Sequence, residues 1–103
     1  ITFSGWTEDV AAALDRLGRR KIIVTGMETH VCVFQTVRDL LANNCQVFVV
    51  GDAVCSRTKG NYLNSLSLMS LMGAVIVNTE TVFFDLMKKA NTPEFRKLLP
   101  LIK

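Results

Sequence analysis

Cys32 is the residue of this chain that is best placed to act as a nucleophile. It follows a β-branched run at residues 22–25 by a few positions and opens a segment whose apolar residues recur at helical spacing. The unpaired N–H groups and the dipole of a helix start stabilise a thiolate, the reactive form of cysteine. The same N–H groups suit the oxyanion that forms on an attacked carbonyl. The alternative is an inert core residue, because cysteine is often buried.

Three further polar side chains stand near predicted strand ends, where ligands gather in parallel α/β sheets. His30 is the only histidine, but it lies two residues from Cys32, and residues at that spacing do not face each other on a helix. The sequence therefore favours a capping or rim position for His30 over the role of general base. Glu28 could line a cleft or be a solvated loop residue. Asp52 could line the same cleft or be an ordinary turn residue.

Cys45 and Cys55 are predicted to be free thiols. They bracket one predicted strand, and the extended residues between them hold their α-carbons about twice as far apart as a disulfide allows. Three cysteines with no CxxC spacing and no histidine cluster also argue against a disulfide framework and a structural zinc site. We therefore expect no metal, no cofactor and a reducing compartment, the cytoplasm, with the mitochondrion as the alternative.

The elements that must position these residues alternate between strand and helix. Apolar spacing predicts a first helix capped by Thr7 and ended by Gly18, and then three β-branched runs, at residues 22–25, 46–50 and 74–77, each followed by a helix. Gly51 and Asp52 are expected to end the second run, and Thr79 to cap the helix after the third. Such alternation is typical of a three-layer, Rossmann-like α/β fold with a parallel sheet and helices on both faces.

Composition narrows the class of protein further. The 103 residues are 50% hydrophobic and 20% charged, with a net charge of +3, which excludes a disordered chain. No apolar run approaches the roughly 18 residues of a membrane span. The basic residues are scattered among nine acids, which argues against a nucleic acid partner. Residues 1–103 contain no linker and no internal boundary, so they are one domain or part of one.

The first predicted strand is not built for the edge of a sheet. It has no charge, proline or bulge signal that would protect an exposed edge from pairing. We therefore expect it to pair with a further strand, supplied by an N-terminal half of the same domain or by a separate polypeptide. Residues 1–103 are then the C-terminal part of a larger domain. The leucines and methionines between residues 63 and 72 are predicted to be core, or to line an oligomer interface.

Two motifs carry a family resemblance. Residues 24–33 read Val-Thr-Gly-Met-Glu-Thr-His-Val-Cys-Val, and residues 49–53 read Val-Val-Gly-Asp-Ala, with Ser56 and Arg57 after them. They closely resemble the isochorismatase-like cysteine hydrolases, and residues 93–103 are similar to the tail of the isochorismatase domain-containing branch. The resemblance covers nearly the whole chain. It implies a hydrolase that cleaves an amide or similar bond in a small molecule and assembles as a homo-oligomer.

The resemblance also implies a mechanism. In the family an aspartate takes the thiol proton, a lysine lowers the thiol pKa, and the thiolate forms a thioester-type intermediate that water releases. Cys32 matches the nucleophile of the family. The backbone N–H groups of Glu28 and Cys32 match its oxyanion hole, and the Met27–Glu28 peptide bond matches its non-proline cis peptide. Thr29 and His30 match positions that bind substrate.

The aspartate and the lysine have no match in this sequence. The aspartate belongs to the first strand of the full fold, and the lysine would stand immediately before Ile1. The 103 residues alone are therefore expected to be inactive. Two alternatives stay open: a non-catalytic member that acts as an interaction or oligomer scaffold, and a redox-sensitive thiol protein based on Cys32.

Overall fold

A three-stranded parallel sheet forms the centre of the computed structural model, which describes residues 2–102. The strands are β1 (Lys21–Met27), β2 (Gln46–Cys55) and β3 (Val75–Val77), and they lie in that order across the sheet. Both neighbouring pairs are parallel. This confirms the predicted α/β class, in which β-branched runs form strands that helices cover.

Helices connect the strands and flank the sheet. They are α1 (Glu8–Leu17), a π-helical turn (Thr29–Val33) that runs directly into α2 (Phe34–Ala42), α3 (Lys59–Leu71), α4 (Thr79–Met87) and α5 (Pro93–Leu98), which a short 3-10 turn (Leu99–Leu101) follows. The hydroxyls of Thr7, Thr58 and Thr92 accept backbone N–H groups at the starts of α1, α3 and α5. Within residues 2–102, every helix is too short or too polar to cross a membrane.

Two boundaries differ from the sequence-based expectation. β2 does not end at Gly51 and Asp52 but continues to Cys55, because it stays paired with β1 up to the register position of Met27 and Cys55. Asn78, not Thr79, caps α4: its Oδ1 accepts the N–H of Thr81 at 2.9 Å. The end of β2 is set by a long-range pairing that local residue preference does not report, whereas Asn78 caps α4 through a local contact of a residue type that favours the N-cap position.

The core lies between one face of the sheet and helices α2 and α3. Val47 and Val49 of β2 pack against Val37 of α2 and Met69 of α3, and all four are essentially fully buried. Val33, the last residue of the π-helical turn, and Leu40 of α2 extend this buried stripe at helical spacing. This packing holds the first turn of the helix after β1 against the carboxyl end of the sheet.

The opposite face of the sheet is only partly covered. Ile23 and Phe48 face α4 across an open cleft of about 470 Å³, whose far wall includes Val82 and Leu86. Ile23 is 49% exposed and Leu86 63% exposed. β1 forms one edge of the sheet in the part of the chain that the structure describes. This face and this edge therefore leave apolar surface open next to β1.

Met69 and Leu71 of α3 provide a matched pair for testing the core. Met69 has no exposed surface, whereas Leu71 is 85% exposed. We expect Met69→Ala to lower the free energy of unfolding by about 2–5 kcal/mol, because it removes buried methylene groups and leaves a cavity. Leu71→Ala should change it by no more than about 0.5 kcal/mol. Urea unfolding measures both, and equal losses would show that α3 packs through another face.

Candidate active site

The turn after β1 places Cys32 at the start of a helix. Gly26 has a φ of +121°, a conformation that side chains rarely allow, and the pairing of β1 with β2 is irregular between Val24 and Gly26. The peptide bond between the next two residues, Met27 and Glu28, is cis. The helix then begins at Thr29, so Cys32 falls in its first turn.

The helix starts with a π-helical turn. The N–H groups of Val31 and Val33 both donate to the carbonyl oxygen of Glu28, each at 3.1 Å, and the bond from Val33 spans five residues. The turn continues without a break into α2. Cys32 is half-buried and reduced at this helix start. The first turn of a helix leaves backbone N–H groups unpaired, and such groups can bind an anion.

Cys32 opens into a cleft of about 230 Å³ together with Met27. The other lining residues are Phe3, Gly5, Val24, Thr25, Gly26, Val33 and Thr36. All of the described residues that line this cleft are uncharged. A thiol that acts as a nucleophile needs a partner that takes its proton, and no side chain in this lining is a base.

Thr36 connects the helix of Cys32 to the segment before α1. Its Oγ1 donates to the carbonyl oxygen of Cys32 at 2.6 Å and accepts the N–H of Gly5 at 2.7 Å. One turn further on, Ser4 Oγ donates to Asp39 Oδ2, also at 2.6 Å. The residues before α1 are thereby held against the wall of the cleft. Sequence analysis missed these contacts, because no periodic pattern links positions more than thirty residues apart.

The side chains of Glu28 and His30 extend to the loop between β2 and α3. Glu28 Oε2 accepts the backbone N–H of Arg57 at 2.8 Å, and Oε1 accepts Arg57 Nε at 3.1 Å. The Arg57 backbone N–H is the main reason that the pKa of Glu28 lies below its ordinary value, and the guanidinium lowers that pKa further. His30 Nδ1 and Ser56 Oγ are hydrogen-bonded at 3.0 Å. Two neighbouring contacts therefore join the turn of Cys32 to this loop.

Thr29 and His30 lie outside the lining of the Cys32 cleft. Thr29 is fully buried, and its Oγ1 forms no hydrogen bond within residues 2–102. His30 is half-buried against the loop that carries Ser56. Met27 and Cys32 are thus the predicted site residues whose side chains the structure brings together at the cleft, and substrate binding by Thr29 and His30 stays a prediction.

Asp52 helps to fix the start of α4. Its Oδ1 accepts both the N–H and the Oγ1 hydroxyl of Thr79, each at 2.8 Å. These hydrogen bonds lower the pKa of Asp52 from its ordinary value. Cys55 is exposed at the end of β2, Cys45 is buried, and neither is in a disulfide. Among residues 2–102, His, Cys, Asp and Glu side chains form no cluster of three that would hold a metal ion.

Comparison with protein families gives a match to the isochorismatase domain over residues 1–81. Isochorismatase family protein 2A of Dictyostelium discoideum is 38% identical over 104 residues, which cover 99% of this chain and 52% of that protein. Isochorismatase domain-containing protein 1 of Salmo salar is 33% identical over 98% of this chain and 36% of its own length. The chain therefore spans about half or less of the length of these relatives.

Solved structures show the same fold. The MAR1 ribonuclease of Caenorhabditis elegans has a TM-score of 0.89 and 32% identity, over 98% of this chain and 52% of that one. The pyrazinamidase/nicotinamidase of Streptococcus mutans UA159 has a TM-score of 0.70 and 28% identity, over 74% of this chain and 43% of that one. The strand and helix order described above is therefore shared with enzymes of this fold.

The contact between Asp52 and Thr79 gives a prediction about acid stability. A carboxyl group whose pKa is lower in the folded state stabilises the fold above its unfolded pKa, and this contribution is lost as the pH falls through the folded pKa. Asp52→Asn should therefore show a smaller drop in urea midpoint between neutral and acidic pH than the wild type. Asp85→Asn on α4 removes the same charge and is the control. An unchanged pH dependence in Asp52→Asn would contradict the prediction.

Proposed function

The chain belongs to the isochorismatase family, and we propose that it is part of a cysteine hydrolase in which Cys32 is the nucleophile. The observation that carries the proposal is the half-buried thiol in the first turn of a helix, opening into a cleft. The cleft of about 230 Å³ is the part of the site that the described residues form. Membership of the family supports a substrate that is a small molecule with an amide or similar bond.

The reaction that this geometry supports is acyl transfer through sulfur. The Cys32 thiolate attacks the carbonyl carbon of the substrate, and a carbon–sulfur bond forms while the carbonyl oxygen becomes an oxyanion. Backbone N–H groups of Glu28 and Cys32 stabilise that oxyanion. The carbon–nitrogen bond then breaks and the amine leaves with the proton first taken from the thiol. Water attacks the thioester, which releases the acid and returns the thiol.

The acid–base group of this reaction comes from outside the cleft lining described above. We propose that an aspartate and a lysine of an N-terminal half complete the site. Two features support this: the uncharged lining of the cleft, and the position of Phe3 and Gly5 in its wall. By the family resemblance the lysine would precede Phe3 by three positions, and Phe3 itself lines the cleft. The aspartate would come from a strand that pairs with the free edge of β1.

The exposed leucines of α3 favour a second candidate, a non-catalytic scaffold or oligomer subunit. Leu63 is 49% exposed and Leu71 85% exposed, and residues 60–72 carry no charged side chain. The exposed side of α3 combines these leucines with uncharged asparagine and serine side chains, and exposed leucines of this kind can contribute to an interface. The hydrolase is preferred because a scaffold needs neither a thiol at a helix start nor a cleft beside it.

Substitution of the nucleophile separates the two candidates. In the full-length protein, Cys32→Ala should reduce the turnover of a small amide by at least about a thousandfold, because no thioester can form. Cys55→Ala removes an exposed thiol outside the cleft lining and should retain turnover within about threefold of wild type. The screen covers nicotinamide, pyrazinamide and simple aliphatic amides, with ammonia release as the readout.

A short RNA is included in the same screen, because one similar structure is named a ribonuclease. Cleavage of RNA that depends on Cys32, without amide hydrolysis, would overturn the small-amide proposal. Absence of any turnover that depends on Cys32 would favour the scaffold.

The dependence on an N-terminal half has its own test. Residues 1–103 alone should show no turnover, and the same residues preceded by the upstream half should be active. Denaturing intact mass of the protein purified from its source tells whether it exceeds the 11.5 kDa of this chain. Turnover by the 103 residues at the rate of the longer protein would show that the described residues already hold the whole catalytic machinery.

A further inference from the structure

The contact between Glu28 and Arg57 has a consequence for the reactivity of Cys32. Glu28 is the residue that precedes the first turn of the helix, yet its carboxylate makes no capping hydrogen bond to that helix. Instead both of its oxygens are held by Arg57, Oε2 by the backbone N–H at 2.8 Å and Oε1 by Nε at 3.1 Å. The carboxylate is therefore turned away from the N–H groups at the helix start.

We propose that Arg57 is a positioning residue for Cys32, whose backbone N–H holds the Glu28 carboxylate off the helix start while its guanidinium neutralises that negative charge. This inference rests on the proposed function, because it concerns the nucleophile named there. A carboxylate four residues before a thiolate opposes the ionisation of the thiol unless a cation compensates it. Arg57 supplies the compensating cation.

Other charged groups stand on the elements around this turn, but the described residues that line the Cys32 cleft are uncharged. Asp39 of α2 is already hydrogen-bonded to Ser4. The remaining titratable or charged groups on the elements that contact the turn are Lys21 of β1, Arg38 of α2, Asp52 and Cys55 of β2, Lys59 and Tyr62 of α3, and His30 within the turn itself.

The two parts of Arg57 can be separated by substitution. Arg57→Gln removes the guanidinium but keeps the backbone N–H, so Glu28 stays in place with its charge uncompensated. Arg57→Lys keeps a positive charge. Because the Arg57 side chain is 83% exposed, solvent screens the pair and the effect on Cys32 is moderate rather than large.

The experiment measures the rate at which iodoacetamide alkylates Cys32 as a function of pH in the full-length protein, quantified on the peptide that contains Cys32. Arg57→Gln should slow alkylation near neutral pH by about 3- to 10-fold and move the pH profile to higher values. Arg57→Lys should stay within about twofold of wild type. The slowing in Arg57→Gln should shrink at high salt, because exposed charges are screened.

The double variant Glu28→Gln, Arg57→Gln decides between electrostatics and structure. It removes the uncompensated charge, so its alkylation profile should return to that of the wild type. A loop that is merely disordered by the loss of Arg57 would not be repaired by a second substitution. Arg20→Gln is the matched control, since it breaks another exposed arginine pair, with Asp15 at 3.4 Å, and should leave Cys32 unchanged.

Two outcomes would overturn the inference: an Arg57→Gln profile equal to the wild type, or a double variant that stays as slow as Arg57→Gln. Alkylation needs no substrate, so the test is independent of turnover. If Cys32 responds to Arg57 but no amide is hydrolysed, the proposed function fails and the positioning role stands. If amides are hydrolysed through Cys32 but the alkylation rate does not change in Arg57→Gln, the proposed function stands and the positioning role of Arg57 fails.

Discussion

Parallel pairing of β1 with β2 is the constraint on which the candidate site depends. Parallel strands end at the same edge of a sheet, and the register places Met27 beside Cys55. The turn that follows β1 and the loop that follows β2 are therefore neighbours. The hydrogen bonds from Glu28 to Arg57 and between His30 and Ser56 depend on this register. A shift of one residue would separate both pairs and release the turn that carries Cys32.

Apolar packing and one ion pair meet at this turn. The valines of α2 and β2 pack the helix start against the sheet, and the described residues that line the cleft beside Cys32 are uncharged. At the same turn, the Glu28 carboxylate is bound by the backbone N–H and the Nε of Arg57. The turn is thus fixed both by apolar contacts to the core and by polar contacts to the loop after β2.

The sequence predicted the elements better than the contacts between side chains. The β-branched runs predicted β1 and β3 to within three residues, and Thr7 marked the start of α1, because these signals are local. The end of β2 was wrong, since pairing with β1 overrides the preference of Gly51 and Asp52 for a turn. The alternatives for Glu28 and Asp52 stayed open because their partners, Arg57 and Thr79, lie nearly thirty residues away.

The edge position of β1 in the described sheet and the lack of a base in the described lining of the Cys32 cleft are related through the geometry of parallel sheets. A strand that pairs with β1 in parallel ends beside Met27, and its last residues then reach the edge where Cys32 lies. An acidic residue at the end of that strand would therefore lie near the Cys32 thiol. One added strand would thus both cover the apolar edge and supply a proton acceptor. Antiparallel pairing would cover the edge equally well, but it would bring the start of the strand to Cys32 and leave its end at the opposite side of the sheet.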